Sequence, residues 1–250
     1  MSRGRIAVRE GKPVAGRPGV GGRIWEIDLL RGIAIVLMMV FHLLFDLAEF
    51  YHFPFDYSRG LIYYTGKTSA SLFILVAGAS CSTSRNNLRR GLKVFSLGIL
   101  IFAVTAVLLP GSNMFFGILP FLGVSMILFP LFQKLPGYTL IAAGTAVLLA
   151  GQLASRLTMP NNWLAPIGLL GRTFSAADYY PVFPWFGVFL YGVACSKLLY
   201  RKKKSLFKID LNKNPLVLLG RHSLLVYLVH QPLILTILFF ILNKPGKLNL

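Results

Sequence analysis

Charge is what this sequence has least of. Asp, Glu, Lys and Arg make up 14% of its 250 residues, where an ordinary soluble domain carries about a quarter. Carboxylates are the scarcest, eight against 26 Lys and Arg. With 55% hydrophobic residues and a mean hydropathy of +0.66, a soluble globular domain is excluded, and most of the chain has to lie inside a bilayer. Cysteine is nearly absent. Cys81 and Cys195 each stand near the end of an apolar run beside a basic loop, so no structural disulfide is expected. There is no CxxC and no Cys/His cluster, so no metal site is expected either. Internal repeats are missing, which argues against a secondary transporter built from inverted halves. The first apolar run is too long for a signal peptide and lacks a small-residue cleavage site, so it reads as a retained span.

What is present is a series of apolar runs. A window of about 20 residues draws seven spans, at roughly 29–51, 60–82, 91–110, 114–133, 137–156, 180–199 and 216–242. The fold class expected is all-α, a polytopic membrane helical bundle of about seven transmembrane helices. Residues 1–22 read as a disordered basic tail, 23–243 as the membrane domain and 244–250 as a short outer tail. With the N-terminus inside, inner segments hold eighteen Lys and Arg and outer segments five. This bias predicts N-in and C-out topology in a cell (plasma) membrane. It also explains the net charge of +18 without nucleic acid, because the basic residues sit between the spans. The stretch 157–179 is apolar for a loop and reads as an interfacial or re-entrant helix. Trp163, Tyr179, Tyr180 and Trp185 fit an outer aromatic belt.

The first span, RIWEIDLLRGIAIVLMMVFHLLFDLAEF, carries Asp28, Arg31, His42, Asp46 and Glu49. At about 100° per residue, all of them fall within about 40° of His42 on one face. An ionised group facing lipid costs several kcal/mol, so this stripe must face the bundle interior or a watery cavity. Arg31 lies at the inner mouth. His42 is eleven residues on, about 16.5 Å along the axis, and Asp46 one turn further is positioned to orient the imidazole. The plainer readings are an i,i+3 ion pair for Asp28 and Arg31, and a packing pair for His42 and Asp46.

Two other spans echo the first. In LGRHSLLVYLVHQPLIL, Arg221 and His222 stand at the inner mouth and His230 at about the depth of His42. Ser223, Tyr227 and His230 share a face, and Pro232 is expected to kink the helix. Lys67 lies in the outer half of the second span among small residues that permit close helix approach. Its plainer reading is a side chain reaching outward to water.

These stretches resemble the prokaryotic members of the heparan-α-glucosaminide N-acetyltransferase catalytic-domain family. The resemblance runs through WEIDLLRGIAIVLMMVFH, SLFILVAGAS, FGILPFLGVSMIL, DYYPVFPWFGVFLYG and LGRHSLLVYLVHQPL, in that order, over most of 23–242. The spacing of Arg31 and His42 is also similar to an Arg/His pair in bacterial membrane O-acyltransferases. The resemblance implies transfer of an acyl group from cytoplasmic acyl-CoA, acetyl-CoA in the human member, to a glycan-type acceptor on the far side. It maps the animal enzyme's catalytic histidine most nearly to His52, whereas the O-acyltransferase pattern points to His42. Relatives often carry histidine where this chain has Pro120.

The expected mechanism follows. Arg31, Arg89, Arg90 and Arg221 bind the donor's phosphates. His42, polarised by Asp46, acts as base or as acyl carrier, with His52 as the second candidate. His230, Tyr227, Lys67 and Asp178 are the candidates for substrate contact and oxyanion stabilisation. The partners implied are membrane lipids, acyl-CoA and the acceptor, and an oligomer is compatible with the sequence. Two other classes remain beside this one: a proton-coupled transporter or flippase, and a catalytically inert membrane partner protein.

Overall fold

Pro, Gly and polar residues cut the apolar sequence into helices, and the elements follow those cuts. A computed structural model describes residues 24–108, 115–176, 178–201 and 204–242. The basic tail 1–22, the C-terminal tail 244–250 and the loop 109–114 lie outside the described residues. The helices are α1 (Trp25–Tyr51), α2 (Gly60–Thr83), α3 (Asn87–Leu108), α4 (Ile118–Phe132), α5 (Gly137–Ala154), α6 (Val182–Leu199), α7 (Pro215–Arg221) and α8 (Ser223–Leu242). Between α5 and α6 lie two-residue strands β1 (Thr158–Met159) and β2 (Leu170–Gly171), paired in parallel around a 3-10 turn at Ala165–Ile167. Among the described residues the architecture is all-helical apart from that pair.

Among the described residues five helices, α1, α3, α5, α6 and α8, are long and apolar enough to cross a membrane. Two of the seven expected spans fall short of that length and hydropathy among the described residues. The second span is diluted by Gly, Ser and Thr, and α4 is only 15 residues long. The seventh span is also not one helix. Asn214 caps α7 by accepting the Leu216 N–H, with Pro215 at the first helical position, both ordinary start signals. The chain leaves helical geometry at His222, whose N–H turns back to the Leu218 and Leu219 carbonyls, and α8 begins at Ser223. The stretch 157–179 holds the strand pair and the 3-10 turn where a longer helix was expected.

Helix pairs meet where side chains are smallest. A Cβ on Gly32 would overlap the Leu216 carbonyl oxygen, and one on Gly220 would overlap that of Asp28, so α1 and α7 touch backbone to backbone. Gly78 and Gly192 do the same for α2 and α6, against Phe189 and Leu75. In a bilayer, where lipid is as apolar as Leu, such seams supply the packing that holds helices together. Ile74, Phe121, Leu140, Phe189, Leu190 and Val193 are fully buried in the central core. Leu61, Val107, Leu131 and Phe240 point outward, as lipid-facing side chains do. Of the expected aromatic belt, Trp163 is exposed, while Tyr180 and Trp185 pack on the core and Tyr179 donates to the Ala165 carbonyl. Cys81 is buried and Cys195 exposed, and they are not bonded to each other.

Candidate functional site

The polar residues of α1 are drawn into two clusters, because the helix meets different neighbours along its length. At its start, Arg31 donates to Asp28 Oδ1 at 2.7 Å, to the Gly220 carbonyl at 3.3 Å and to Ser80 Oγ at 2.5 Å. Arg221 brings its Nε to 3.4 Å from Asp28 Oδ2 and also donates to Asn212. One buried carboxylate thus serves two guanidiniums. The i,i+3 pair read in the sequence is there, and it is the hub of a contact among α1, α2 and α7. Glu26 anchors the same end. Its Oε1 accepts from Ser205 Oγ at 2.5 Å and from the backbone N–H groups of Leu206 and Phe207.

Arg89 and Arg90 do not join this hub; both are exposed on the first turn of α3. At the ends of α2 and α6 and the start of α5 lies a cavity of about 550 Å³ lined by Ser82, Thr83, Tyr138, Lys197, Tyr200 and Arg201, among others. Lys197 donates to the Gln133 and Leu135 carbonyls at the end of α4, a favourable place for a cation. The sequence pointed to Lys197 and Arg201 only as topology charges.

The second cluster is deep in the bundle. The His42 and His230 rings lie 4.9 Å apart, centre to centre. His230 Nδ1 is 2.6 Å from the Tyr227 carbonyl oxygen. A carbonyl only accepts, so Nδ1 carries the proton and Nε2 keeps its lone pair. That Nε2 is buried and has no hydrogen-bond partner among the described residues, and the same holds for His42 Nδ1. The Tyr227 ring stacks obliquely 5.4 Å from the His230 ring.

Asp46 is placed differently from the expectation. It is fully buried, and its hydrogen bonds come from Gln231 Nε2, at 2.8 Å to Oδ1 and 3.0 Å to Oδ2, rather than from His42. The i,i+4 spacing brings Asp46 under His42 on one face. Gln231 reaches it across the α1–α8 interface. Gln231 is the residue that sequence reasoning missed. Its only signal was its place between His230 and Pro232.

The other candidates surround this pair or stand apart from it. Lys67 lies 5.4 Å from the Tyr63 ring centre and 5.8 Å from that of Trp185, so aromatic faces hold the ammonium. Asp178, in the loop before α6, accepts from the Ile118 N–H at 3.4 Å and so caps α4. Burial pushes its carboxyl up to about 6, against the opposing pull of that N–H and of Lys67. His52 is exposed at the C-terminus of α1, where it closes the helix with φ 57°. Glu49 accepts from Tyr57 at 2.6 Å near the same end. Pro120 sits buried in the first turn of α4, where a missing N–H costs nothing, and leaves room only for Gly98 opposite. Among the described residues, no group of three or more His, Cys, Asp or Glu is placed to hold a metal ion.

What this arrangement offers is a pair of imidazoles in contact inside the bundle, each with a buried ring nitrogen that has no partner among the described residues, suited to moving protons away from water. A hub that holds two guanidiniums, Arg31 and Arg221, lies at the start of α1. No curated protein and no solved structure matches this chain. The model of one protein family does, described as heparan-alpha-glucosaminide N-acetyltransferase, catalytic, over residues 23–232. That match takes in α1 to α7 and the part of α8 that carries Tyr227 and His230, and the chain therefore belongs to the heparan-alpha-glucosaminide N-acetyltransferase catalytic family of membrane acyltransferases.

Proposed function

We propose that the protein transfers an acetyl or other acyl group from cytoplasmic acyl-CoA to a hydroxyl or amine of a glycan-type acceptor at the outer side, with the His42–His230 pair handling the proton. The observation that carries this reading is the ring pair itself, two histidines in contact inside an apolar bundle of an acetyltransferase family. An intramembrane ionisable group is costly to keep, and a functional role is its default reading. The N-in orientation, with seven spans counting α2, α4 and the broken α7–α8, is supported by the eighteen-to-five bias of Lys and Arg.

Acetyl-CoA is a long anion. Arg31 and Arg221, sharing the single Asp28, and the exposed Arg89 and Arg90 are the groups for its phosphates. The cavity beside Lys197 and Arg201 opens at the same end. From Arg31 to His42 is about 16.5 Å along α1, a distance that the donor's extended arm spans. His42 or His230 removes the acceptor's proton as its oxygen or nitrogen attacks the thioester carbonyl. Lys67, Tyr227 and Asp178 are the candidates for contacting the acceptor and the developing oxyanion. His52 remains the second candidate base, as the family resemblance implies.

The test is release of free thiol from acetyl-CoA by purified protein with glucosamine or N-acetylglucosamine as acceptor. His42→Gln and His230→Gln are each expected to lower the rate by about 10²-fold or more. Full rate in both variants would refute the assignment, and loss confined to His52→Gln would move the chemistry to the outer mouth.

A further inference from the structure

Asp46 poses a problem that the histidine pair does not solve. It is fully buried in α1, and among the described residues no Lys, Arg or His stands within ion-pair distance of it. A buried carboxylate survives only where hydrogen bonds replace water, and its donors reduce to the Gln231 amide, which reaches both oxygens. This fixes the amide. A carboxylate accepts and does not donate, so Nε2 faces Asp46 and Oε1 must point the other way. Oε1 is itself buried and, among the described residues, without a hydrogen-bond partner, which is costly for an acceptor. His42 Nδ1 is in the same condition. It sits one helical turn before Asp46, with its ring against His230, the residue next to Gln231. An orphaned acceptor and an orphaned ring nitrogen flank one turn of helix.

We propose that Gln231 is a positioning residue interposed between Asp46 and the histidine pair, through which the carboxylate acts on His42. The inference rests on the reading of His42 as a proton-handling group. In the step, the acceptor's O–H or N–H proton passes to His42 Nε2 and the acceptor's lone pair forms the new bond to the acyl carbon. The C–S bond then breaks, and the departing thiolate takes the proton back from Nε2 and leaves as the thiol. While His42 holds both protons, its Nδ1–H donates to Gln231 Oε1, and the amide carries the polarisation on to Asp46. A buried positive charge is thereby met by a buried negative one through a single neutral group. Neither charge has to move, and the rigid amide sets the distance.

The experiment is a double-mutant cycle on the full-length protein in detergent, with thiol release from acetyl-CoA and glucosamine as the probe acceptor. Gln231→Met keeps the volume and removes both polar atoms. Asp46→Asn removes the charge and releases the amide orientation. Each single variant is expected to lose about 10- to 100-fold in kcat with KM for acetyl-CoA within about twofold, and the double variant is expected to be no slower than the slower single. Losses that multiply, or that fall on KM alone, overturn the proposal. A second readout needs no turnover: nitrogen NMR of ¹⁵N-histidine-labelled protein, which has four histidines. The His42 Nδ1 signal, assigned by its loss in His42→Gln, is expected to move between wild type and Gln231→Met, or Gln231→Asn where the Met variant does not fold. An unmoved signal overturns the relay even if glucosamine is not turned over, while a moved signal with no turnover upholds it and refutes the proposed acceptor chemistry.

Discussion

Asp178 shows how one side chain can tie the loop before α6 to both a helix and the site. Its carboxyl, pushed up to about 6 by burial, receives the Ile118 N–H at the start of α4. The folded pKa lies above the unfolded one, so the protonated form is favoured by folding. Its contribution is fully present below about pH 4 and is lost as pH rises through 6. The melting temperature of the purified protein is therefore expected to fall between about pH 4 and about pH 6, and Asp178→Asn, which still accepts from Ile118, is expected to flatten that part of the curve. An equal slope in both proteins would show that other groups set it. At this same scale the sequence was partly legible. Angular arithmetic put His42 and Asp46 on one face, and that holds for any helix. Which of them meets Gln231 depends on how α8 is rotated against α1, and no local pattern encodes a rotation between two helices.

At the scale of elements, the backbone contact of α1 with α7 decides whether the inner hub exists. Gly32 and Gly220 leave no room for a Cβ, and only this closeness lets Arg31 reach the Gly220 carbonyl and Arg221 reach Asp28. Gly220→Ala is expected to force the helices apart and to cost about 1–3 kcal/mol. The loss is read as a lower melting temperature together with weaker acetyl-CoA binding in calorimetry. A stable variant with unchanged binding would mean that the seam absorbs the methyl group. The break at His222 was visible in the sequence as the polar run Gly-Arg-His-Ser inside an apolar span. It reads as a mouth when the window is about 20 residues wide, because averaging over a window that long hides a one-residue interruption. The loop 157–179 was misread for a related reason. Several of its apolar residues, Leu157, Trp163, Leu164 and Ile167, stay exposed, and hydropathy alone does not separate an apolar turn from a helix lying in the interface.

At the scale of the whole molecule, the asymmetry of charge sets the expected topology. Labelling of single cysteines in intact cells tests it, in a Cys195→Ser background because Cys81 is buried. Ser58→Cys, ahead of α2, is expected to react with an impermeant maleimide from outside, and Arg85→Cys, between α2 and α3, only after permeabilisation. The reverse pattern would invert the protein and the side from which the donor enters. The class of the molecule needed no structure. Scarce charge and long apolar runs dictate burial in lipid, the Lys and Arg distribution dictates an orientation, and helical periodicity dictates that the ionisable groups of α1 share a face. Those are properties of a chain and a solvent. What only the tertiary structure decided is who meets whom: His42 with His230, Asp46 with Gln231, and Asp28 with two arginines. Contacts between helices far apart in sequence follow from crossing and rotation. Those are fixed by small-residue seams and side-chain fit summed over the whole bundle, so they exist only once every helix is in place.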